Sequence, residues 1–270
     1  MVNLFGHGFI GKEYSAKYNC IVNTRDNLIP KHNKILYFIS TVDNYNIYTN
    51  PYLDIETNLI TLINVLENAR KKFNSNFEFN FISSWFVYGE TDLPATENSV
   101  CTPKGFYSIT KKAAEDLLIS YCNTYSIKYR ILRLANILGK TDNKVSKKKN
   151  ALQYLINEIK NNNKIELYYE GMFYRDYMDV EDAVQAINLV INNGHDNDIY
   201  NIGNGDPILF KDIIQYIVNK TKSSSEIIMV NNKDFHGKIQ VKSMYMDNSK
   251  LKSLGFKKNY SIFETLDKLI

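Results

Sequence analysis

Tyr107 and Lys111, in the segment Tyr107-Ser108-Ile109-Thr110-Lys111, place a phenol and an ammonium on one face of a helix. A nearby ammonium stabilises a phenolate, and bringing a phenol from about 10 toward 7 needs roughly 4 kcal/mol of differential stabilisation. A tyrosine tuned in this way can exchange protons at neutral pH. The spacing alone is common in a chain with 20 tyrosines, and Tyr216 with Lys220 repeats it; surface packing is expected there. What distinguishes Tyr107 is the preceding segment Ser83-Ser84-Trp85-Phe86-Val87-Tyr88-Gly89, which ends an alternating strand and delivers the Ser84 hydroxyl to the same sheet edge.

A second constellation is Gly6-His7-Gly8-Phe9-Ile10-Gly11, a G-x-G-x-x-G pattern between an apolar strand (Val2 to Phe5) and a short helix (Phe9 to Lys17). Such glycines permit a tight turn, let backbone N–H groups approach a pyrophosphate, and allow helix and strand to pack closely. The next strand, about Cys20 to Thr24, leads into Arg25 and Asp26. Asp26 suits the ribose hydroxyls of NAD and Arg25 the 2′-phosphate of NADP, so the cofactor is read as NAD or NADP.

These motifs need a scaffold. Apolar runs at Ile35 to Ser40, Phe77 to Ser83 and Tyr129 to Leu134 read as strands, and Ile55 to Lys72 and Tyr107 to Tyr125 as the helices between them. The alternation predicts an α/β protein: a Rossmann-type doubly wound parallel sheet with a smaller C-terminal substrate-binding lobe. Residues 1–140 are expected to form the dinucleotide-binding core, and 141–270 to complete it and build the lobe. That second part reads as a polar segment (Lys140 to Asn150), helices at Ala151 to Lys160, Val180 to Asn192 and Phe210 to Lys220, and strands at Ile165 to Tyr168 and Arg175 to Met178.

Composition narrows the alternatives. Among 270 residues, three cysteines without C-x-x-C spacing signal neither a disulfide framework nor a zinc site, and no metal is expected. No run of about 18 apolar residues suggests a membrane span, no signal-peptide pattern follows Met1, and a cytoplasmic protein is expected. The net charge of +4 and the lone basic run Lys147-Lys148-Lys149, read as a solvated loop, do not suggest a nucleic-acid partner.

Together these residues resemble the extended short-chain dehydrogenase/reductase family, in its NAD-dependent nucleotide-sugar epimerase/dehydratase branch. Further matching elements are Ser84 to Gly89, Arg133-Leu134-Ala135-Asn136, Arg175-Asp176-Tyr177 with Val180-Glu181-Asp182, and Tyr200 to Gly203. The resemblance implies that Ser84 orients the reacting oxygen, Tyr107 exchanges its proton, and Lys111 holds the nicotinamide ribose. It also implies that Asn136 and Arg175 contact a nucleotide-activated sugar, that Asn58 starts a helix near the nicotinamide, and that the helices near 55–72 and 107–125 pair in a homodimer. Trp85 is placed to pack against the sugar ring. Blander roles are a strand-end cap for Asn136, a surface ion pair with Asp176 for Arg175, and an interior helix polar group for Asn58.

The chain departs from the family pattern in three places. Phe5 stands where the family has its first glycine, and the glycine spacing is one residue shorter. Almost nothing separates the second strand from Ile35, so a strand and helix that commonly line the adenine pocket are expected to be missing. Trp85-Phe86 replaces the Asp-Glu acid/base pair of the dehydratases, which disfavours elimination of water. The expected function is hydride transfer at a sugar carbon, C4 in most of the family, by an epimerase or a 4-ketoreductase of polysaccharide biosynthesis. The alternative is a non-catalytic dinucleotide-binding scaffold.

Overall fold

The computed structural model describes residues 1–43, 45–142, 145–146, 149–230, 239 and 241–270. Its centre is a six-stranded, wholly parallel sheet. In chain order the strands are β1 (Val2–Phe5), β2 (Cys20–Asn23), β3 (Lys34–Tyr37), β4 (Glu78–Ser84), β5 (Lys128–Leu134) and β10 (Asp198–Ile202). Their spatial order is β10-β5-β4-β3-β1-β2.

Alternating side chains feed two cores. Leu4, Leu36, Ile82 and Leu132 face one side and pack with α1 (Phe9–Lys17) and α6 (Val180–Asn193). Phe5, Ile35, Tyr37, Phe79 and Phe81 face the other and pack with α3 (Thr61–Phe73) and α4 (Phe106–Tyr125). Helices on both faces of a parallel sheet make the expected doubly wound arrangement. The chain leaves β1 in one direction to β2 and in the other to β3, β4, β5 and β10. The crevice between β1 and β3 is therefore the topological switch point.

The sheet ends at β2, and only residues 24–33 connect it to β3 across β1. Asn23 organises this short return: its amide donates to the carbonyls of Asn27 and Ile29 at 2.8 and 2.9 Å. The strand and helix expected to be missing are thus absent between these two strands.

The remaining elements are small. β6 (Asn136–Leu138) pairs with β9 (Tyr177–Asp179), β8 (Tyr174–Arg175) with β11 (Ile208–Leu209), and β7 (Ile165–Tyr168) with β12 (Ile227–Val230). A third apolar cluster joins β7 to α5 (Ala151–Lys160), α7 (Phe210–Thr221) and α9 (Ile262–Leu269), while α8 (Ser249–Ser253) packs on β10.

Two expected elements are interrupted. The strand read over Arg175 to Met178 is two strands in different sheets. Its break falls at Asp176, whose buried carboxylate accepts the N–H groups of Asn204 and Gly205 at 3.1 and 3.2 Å. The helix read from Ile55 to Lys72 is a continuous helical run in three pieces: α2 (Tyr52–Ile55), a π-turn (Glu56–Ile60) and α3. Of the basic run, Lys147 and Lys148 lie outside the described residues, and Lys149 pairs with Asp142 at 2.7 Å.

Candidate active site

Parallel strands bring their C-terminal ends to one edge, and the chemistry-bearing residues gather there. Gly6 follows β1, Ser40 follows β3, Ser84 ends β4, Asn136 follows β5 and Gly203 follows β10.

In the glycine turn each glycine meets a different neighbour. Gly6 has φ +96°, and a Cβ there would lie 2.9 Å from the Ile39 nitrogen, across the switch-point crevice. A Cβ on Gly11 would lie 2.3 Å from the Gly6 carbonyl oxygen, so this glycine is what lets α1 pack against the turn. Gly8, the residue before the first turn of α1, has nothing within 4 Å of its Cβ position, and no side chain caps the helix. The N–H groups opening an α-helix have no partner within it, so this end could receive the anionic pyrophosphate of a dinucleotide. His7 is exposed and bonds to Ser15 at 2.9 Å, while Phe9 and Ile10 pack into the α1–α6 core. Arg25 and Asp26 are exposed beyond β2, Arg25 reaching the Ser40 carbonyl at 3.4 Å.

Tyr107 and Lys111 lie on the buried face of α4. Burial pushes the Tyr107 phenol up to about 12, and the neighbouring Ser84 and Ser40 hydroxyls draw it back down in part. The three hydroxyls therefore lie close together. Lys111 is 2 % exposed; its ammonium donates to the Ile82 carbonyl at 2.7 Å and sits 4.1 Å from the centre of the Phe81 ring. Burial brings this amine down to about 7, against the opposing pull of Glu115. The expectation of a phenol lowered toward 7 by its lysine is thus not met in this geometry. Burial dominates at Tyr107, and Lys111 is engaged by Ile82. Tyr216 and Lys220 share Asp267 at the surface, as their packing role predicts.

Asn58 occupies the π-turn, inside the helical run rather than at its start. Its carbonyl oxygen accepts from the Ser40 hydroxyl and the Thr41 N–H, and its amide donates to the Thr41 and Thr110 hydroxyls, all at 2.9–3.0 Å. Both ends of the side chain are spent within the protein, so it ties the end of β3 to α4. Asp54 supports the same loop by accepting from the Thr41 hydroxyl and, at 3.2 Å, from Asn46.

Trp85 is 5 % exposed and stacks on Phe86, ring centres 3.9 Å apart; Phe86 in turn meets Tyr107 edge-on at 5.9 Å. The Trp85 indole donates to Asn136 at 3.3 Å, and Asn136 donates to the Asp176 carbonyl at 3.0 Å. Asn136 thus links Trp85 at the sheet edge to the Asp176 backbone between β8 and β9. Arg175 forms no ion pair with Asp176. Its guanidinium donates to the carbonyls of Tyr174, Lys242 and Val241 and lies 4.6 Å from the Phe173 ring. Burial lowers it to about 10. Trp85, Phe86, Asn136 and Arg175 all line one cleft of about 240 Å³ between the sheet edge and α5, β7 and β8, with Tyr45, Tyr154, Tyr168 and Tyr169 around it. A cation among aromatic rings suits an anionic ligand carrying a planar base.

Sequence reasoning missed Ser40, Asp54 and the buried pair beneath Lys111. There Arg133 donates to both Glu115 oxygens at 3.1 and 2.7 Å and lies 4.7 Å from the Tyr88 ring. The i,i+4 spacing of Lys111 and Glu115 was a legible signal; the partner on β5 was not. Among the described residues no cluster of His, Cys, Asp or Glu could hold a metal, and no helix is long and apolar enough to cross a membrane.

Comparison with known proteins is consistent with this geometry. The description "NAD dependent epimerase/dehydratase family" matches residues 34–203, from β3 to the end of β10 and leaving the glycine turn outside. Protein CapI of Staphylococcus aureus is 29 % identical over 191 residues, covering 63 % of this chain and 55 % of its own, so this chain spans about half of that relative. The crystal structure of a UDP-glucose 4-epimerase from Thermotoga maritima with UDP-glucose superposes with a TM-score of 0.86 at 20 % identity, covering 99 % of this chain and 96 % of that one. RMD from Pseudomonas aeruginosa, complexed with NADPH, gives 0.83 at 19 %, with 99 % and 97 % covered. At such identities these structures establish a shared fold.

Proposed function

The chain belongs to the NAD dependent epimerase/dehydratase family, and from that premise we propose that it moves a hydride at a carbon, C4, of a nucleotide-activated sugar, as an epimerase or a 4-ketoreductase. The observation that carries this reading is the cluster of Tyr107, Ser84 and Ser40 hydroxyls at the sheet edge, next to a cleft lined by Arg175 and aromatic rings. A non-catalytic scaffold would have no need of a phenol and two hydroxyls converging beside a buried amine.

The open space at Gly8 fits a dinucleotide pyrophosphate, with the backbone N–H groups of His7 to Ile10 holding it and Arg25 or Asp26 at the adenosine ribose. When bound, NAD or NADP supplies the hydride acceptor or donor. Tyr107 gives a proton to the sugar oxygen as a carbonyl is reduced there, or takes one as an alcohol is oxidised, and Ser84 donates a hydrogen bond that fixes this oxygen. Lys111, when charged, favours the phenolate left on Tyr107. Arg175 holds the sugar's phosphates, and Trp85 and Phe86 shield the reacting carbon from water. Neither aromatic ring can take a proton beside a carbonyl or give one to a departing hydroxyl, so positions 85 and 86 supply no catalyst for water loss. Exposed Arg25 at an open sheet edge favours an exchangeable NADPH, and hence the reductase.

The division near residue 140 into core and lobe, and a homodimer, belong to the same reading. Ile109 and Leu117 on α4 are 47 and 41 % exposed, and Ile60 at the end of the π-turn before α3 is 54 % exposed, apolar groups suited to a second copy. The test is a panel of nucleotide sugars and their 4-keto derivatives, following reduced nicotinamide and product mass together. One NAD(P)H consumed per product identifies a reductase, and turnover on a trace of cofactor an epimerase. A product lighter by one water, or no reaction with any activated sugar, would refute the proposal.

A further inference from the structure

Asp54, on α2, is fully buried, yet its carboxylate is only half spent. One oxygen accepts from the Thr41 hydroxyl and from the Asn46 amide, the latter at 3.2 Å; the other has no hydrogen-bond partner among the described residues. An asparagine oxygen would receive the same two bonds without burying a charge, so the fold by itself does not call for a carboxylate. What lies next to that charge is the reacting phenol. α2 packs against α4, and Asn58 donates to the Thr41 and Thr110 hydroxyls at 2.9 and 3.0 Å. Thr110 donates in turn to the Tyr107 carbonyl at 3.0 Å, so a chain of hydrogen bonds ties Asp54 to the helical turn that carries Tyr107. Several other charged groups come from the elements around α4. Arg175 on β8 lies behind the stacked Trp85 and Phe86 rings, Arg133 on β5 is neutralised by Glu115, and Glu56 of the π-turn is exposed. Lys111, on α4 itself, is held by the Ile82 carbonyl and, brought down to about 7 by burial, carries little charge above neutrality. Burial first, and then the Asp54 charge, push the Tyr107 phenol up.

Resting on the hydride-transfer reading above, we propose that Asp54 is a positioning residue whose buried charge holds Tyr107 as a protonated phenol, so that the resting site is set to reduce a carbonyl and not to oxidise an alcohol. As a hydride from reduced nicotinamide forms the new C–H bond, the carbonyl π pair moves onto oxygen and takes the Tyr107 proton, leaving a phenolate that water reprotonates. A negative charge nearby disfavours that phenolate and counters the pull of Lys111 when the lysine is charged. The oxidation that opens an epimerase cycle would instead need the phenolate at rest, which Asp54 opposes.

The first readout needs no substrate. A 3-fluorotyrosine placed at Tyr107 is titrated by fluorine NMR in the otherwise wild-type protein, in Asp54→Asn and Asp54→Ser, and in Thr41→Val, which breaks the same hydrogen bond but keeps the charge. The midpoint should fall by about one unit or more in both neutral variants, and stay level or rise in Thr41→Val. The second readout is the pH profile of kcat/KM in both directions, with 4-keto nucleotide sugars and their 4-hydroxy counterparts. Alcohol oxidation at pH 7 should rise severalfold in Asp54→Asn, and carbonyl reduction should begin to decline at a lower pH than in the wild type. A gain in oxidation is something a merely structural loss would not produce. Unmoved midpoints in the neutral variants, or an equal fall in Thr41→Val, would overturn the role of the charge. Lowered midpoints with oxidation and reduction weakened alike at every pH would overturn the setting of direction. Lowered midpoints without reaction on any activated sugar would support the hold of Asp54 on Tyr107 and refute the nucleotide-sugar reading alone.

Discussion

Replacing Lys111 with Met should stabilise the fold while removing activity. Burial holds the Lys111 amine near 7 against an ordinary 10.5. At pH 7 protonation of the unfolded chain then opposes folding by roughly three units, or about 4 kcal/mol at about 1.4 kcal/mol per unit. Loss of the hydrogen bond to the Ile82 carbonyl offsets about 1 kcal/mol, leaving Lys111→Met about 3 kcal/mol more stable. The sign with pH follows from a depressed folded pKa. Between 7 and 10.5 the unfolded chain binds more protons than the folded one, so the wild type gains stability as pH rises; below 7 the penalty is complete, and above 10.5 it is gone. Urea unfolding of the cofactor-free proteins at pH 7 and near pH 9.5 should show the variant ahead at the lower pH and the two nearly equal at the higher. A wild type more stable than the variant at pH 7, or a gap that does not change with pH, would refute the reasoning that burial sets the charge of this amine.

Tyr107→Phe should abolish turnover with cofactor affinity nearly intact, whereas Tyr216→Phe, at the surface with Asp267, should be near neutral in the same steady-state assay. Gly8→Val should leave the thermal midpoint within a few degrees, since nothing lies within 4 Å of the Cβ position, yet abolish NAD(P) binding in calorimetry. Gly11→Val should fail to fold stably, because its Cβ would meet the Gly6 carbonyl at 2.3 Å. Ile109→Lys combined with Leu117→Lys should shift sedimentation from dimer to monomer; an unchanged sedimentation coefficient would place the interface elsewhere or nowhere.

Much of this was legible in the sequence because local rules and global fold agree. Period-two apolarity in Phe77 to Ser83 and glycine spacing around Gly8 each allow few local conformations, and the parallel topology then brings their ends together. Tyr107 and Lys111 were legible through one helical turn. The Arg133–Glu115 contact was not, because it joins residues 18 apart on a strand and a helix whose register only packing decides. Ser40 looked like the end of an apolar run; its approach to Tyr107 depends on the order of β3 and β4 in the sheet. The π-turn at Asn58 escaped notice because a single inserted residue barely disturbs helical periodicity. The split at Asp176 likewise depended on distant backbone donors, Asn204 and Gly205, which no local pattern announces.

The bidentate pair of Arg133 and Glu115, with side chains 3 and 1 % exposed, constrains how the sequence can drift. Removing either partner alone strands the other charge in the core, at a cost of about 3–5 kcal/mol, whereas two well-packed apolar residues in their place would often be neutral or better. Losing Arg133 first would also leave Glu115 unneutralised one helical turn from Lys111, pulling that amine back toward its charged form. An apolar replacement therefore lies across a valley whose single-step intermediates are disadvantaged in both stability and site electrostatics. Positions 115 and 133 should accordingly change together or not at all, and a library randomising both at once should recover functional combinations that stepwise selection never reaches.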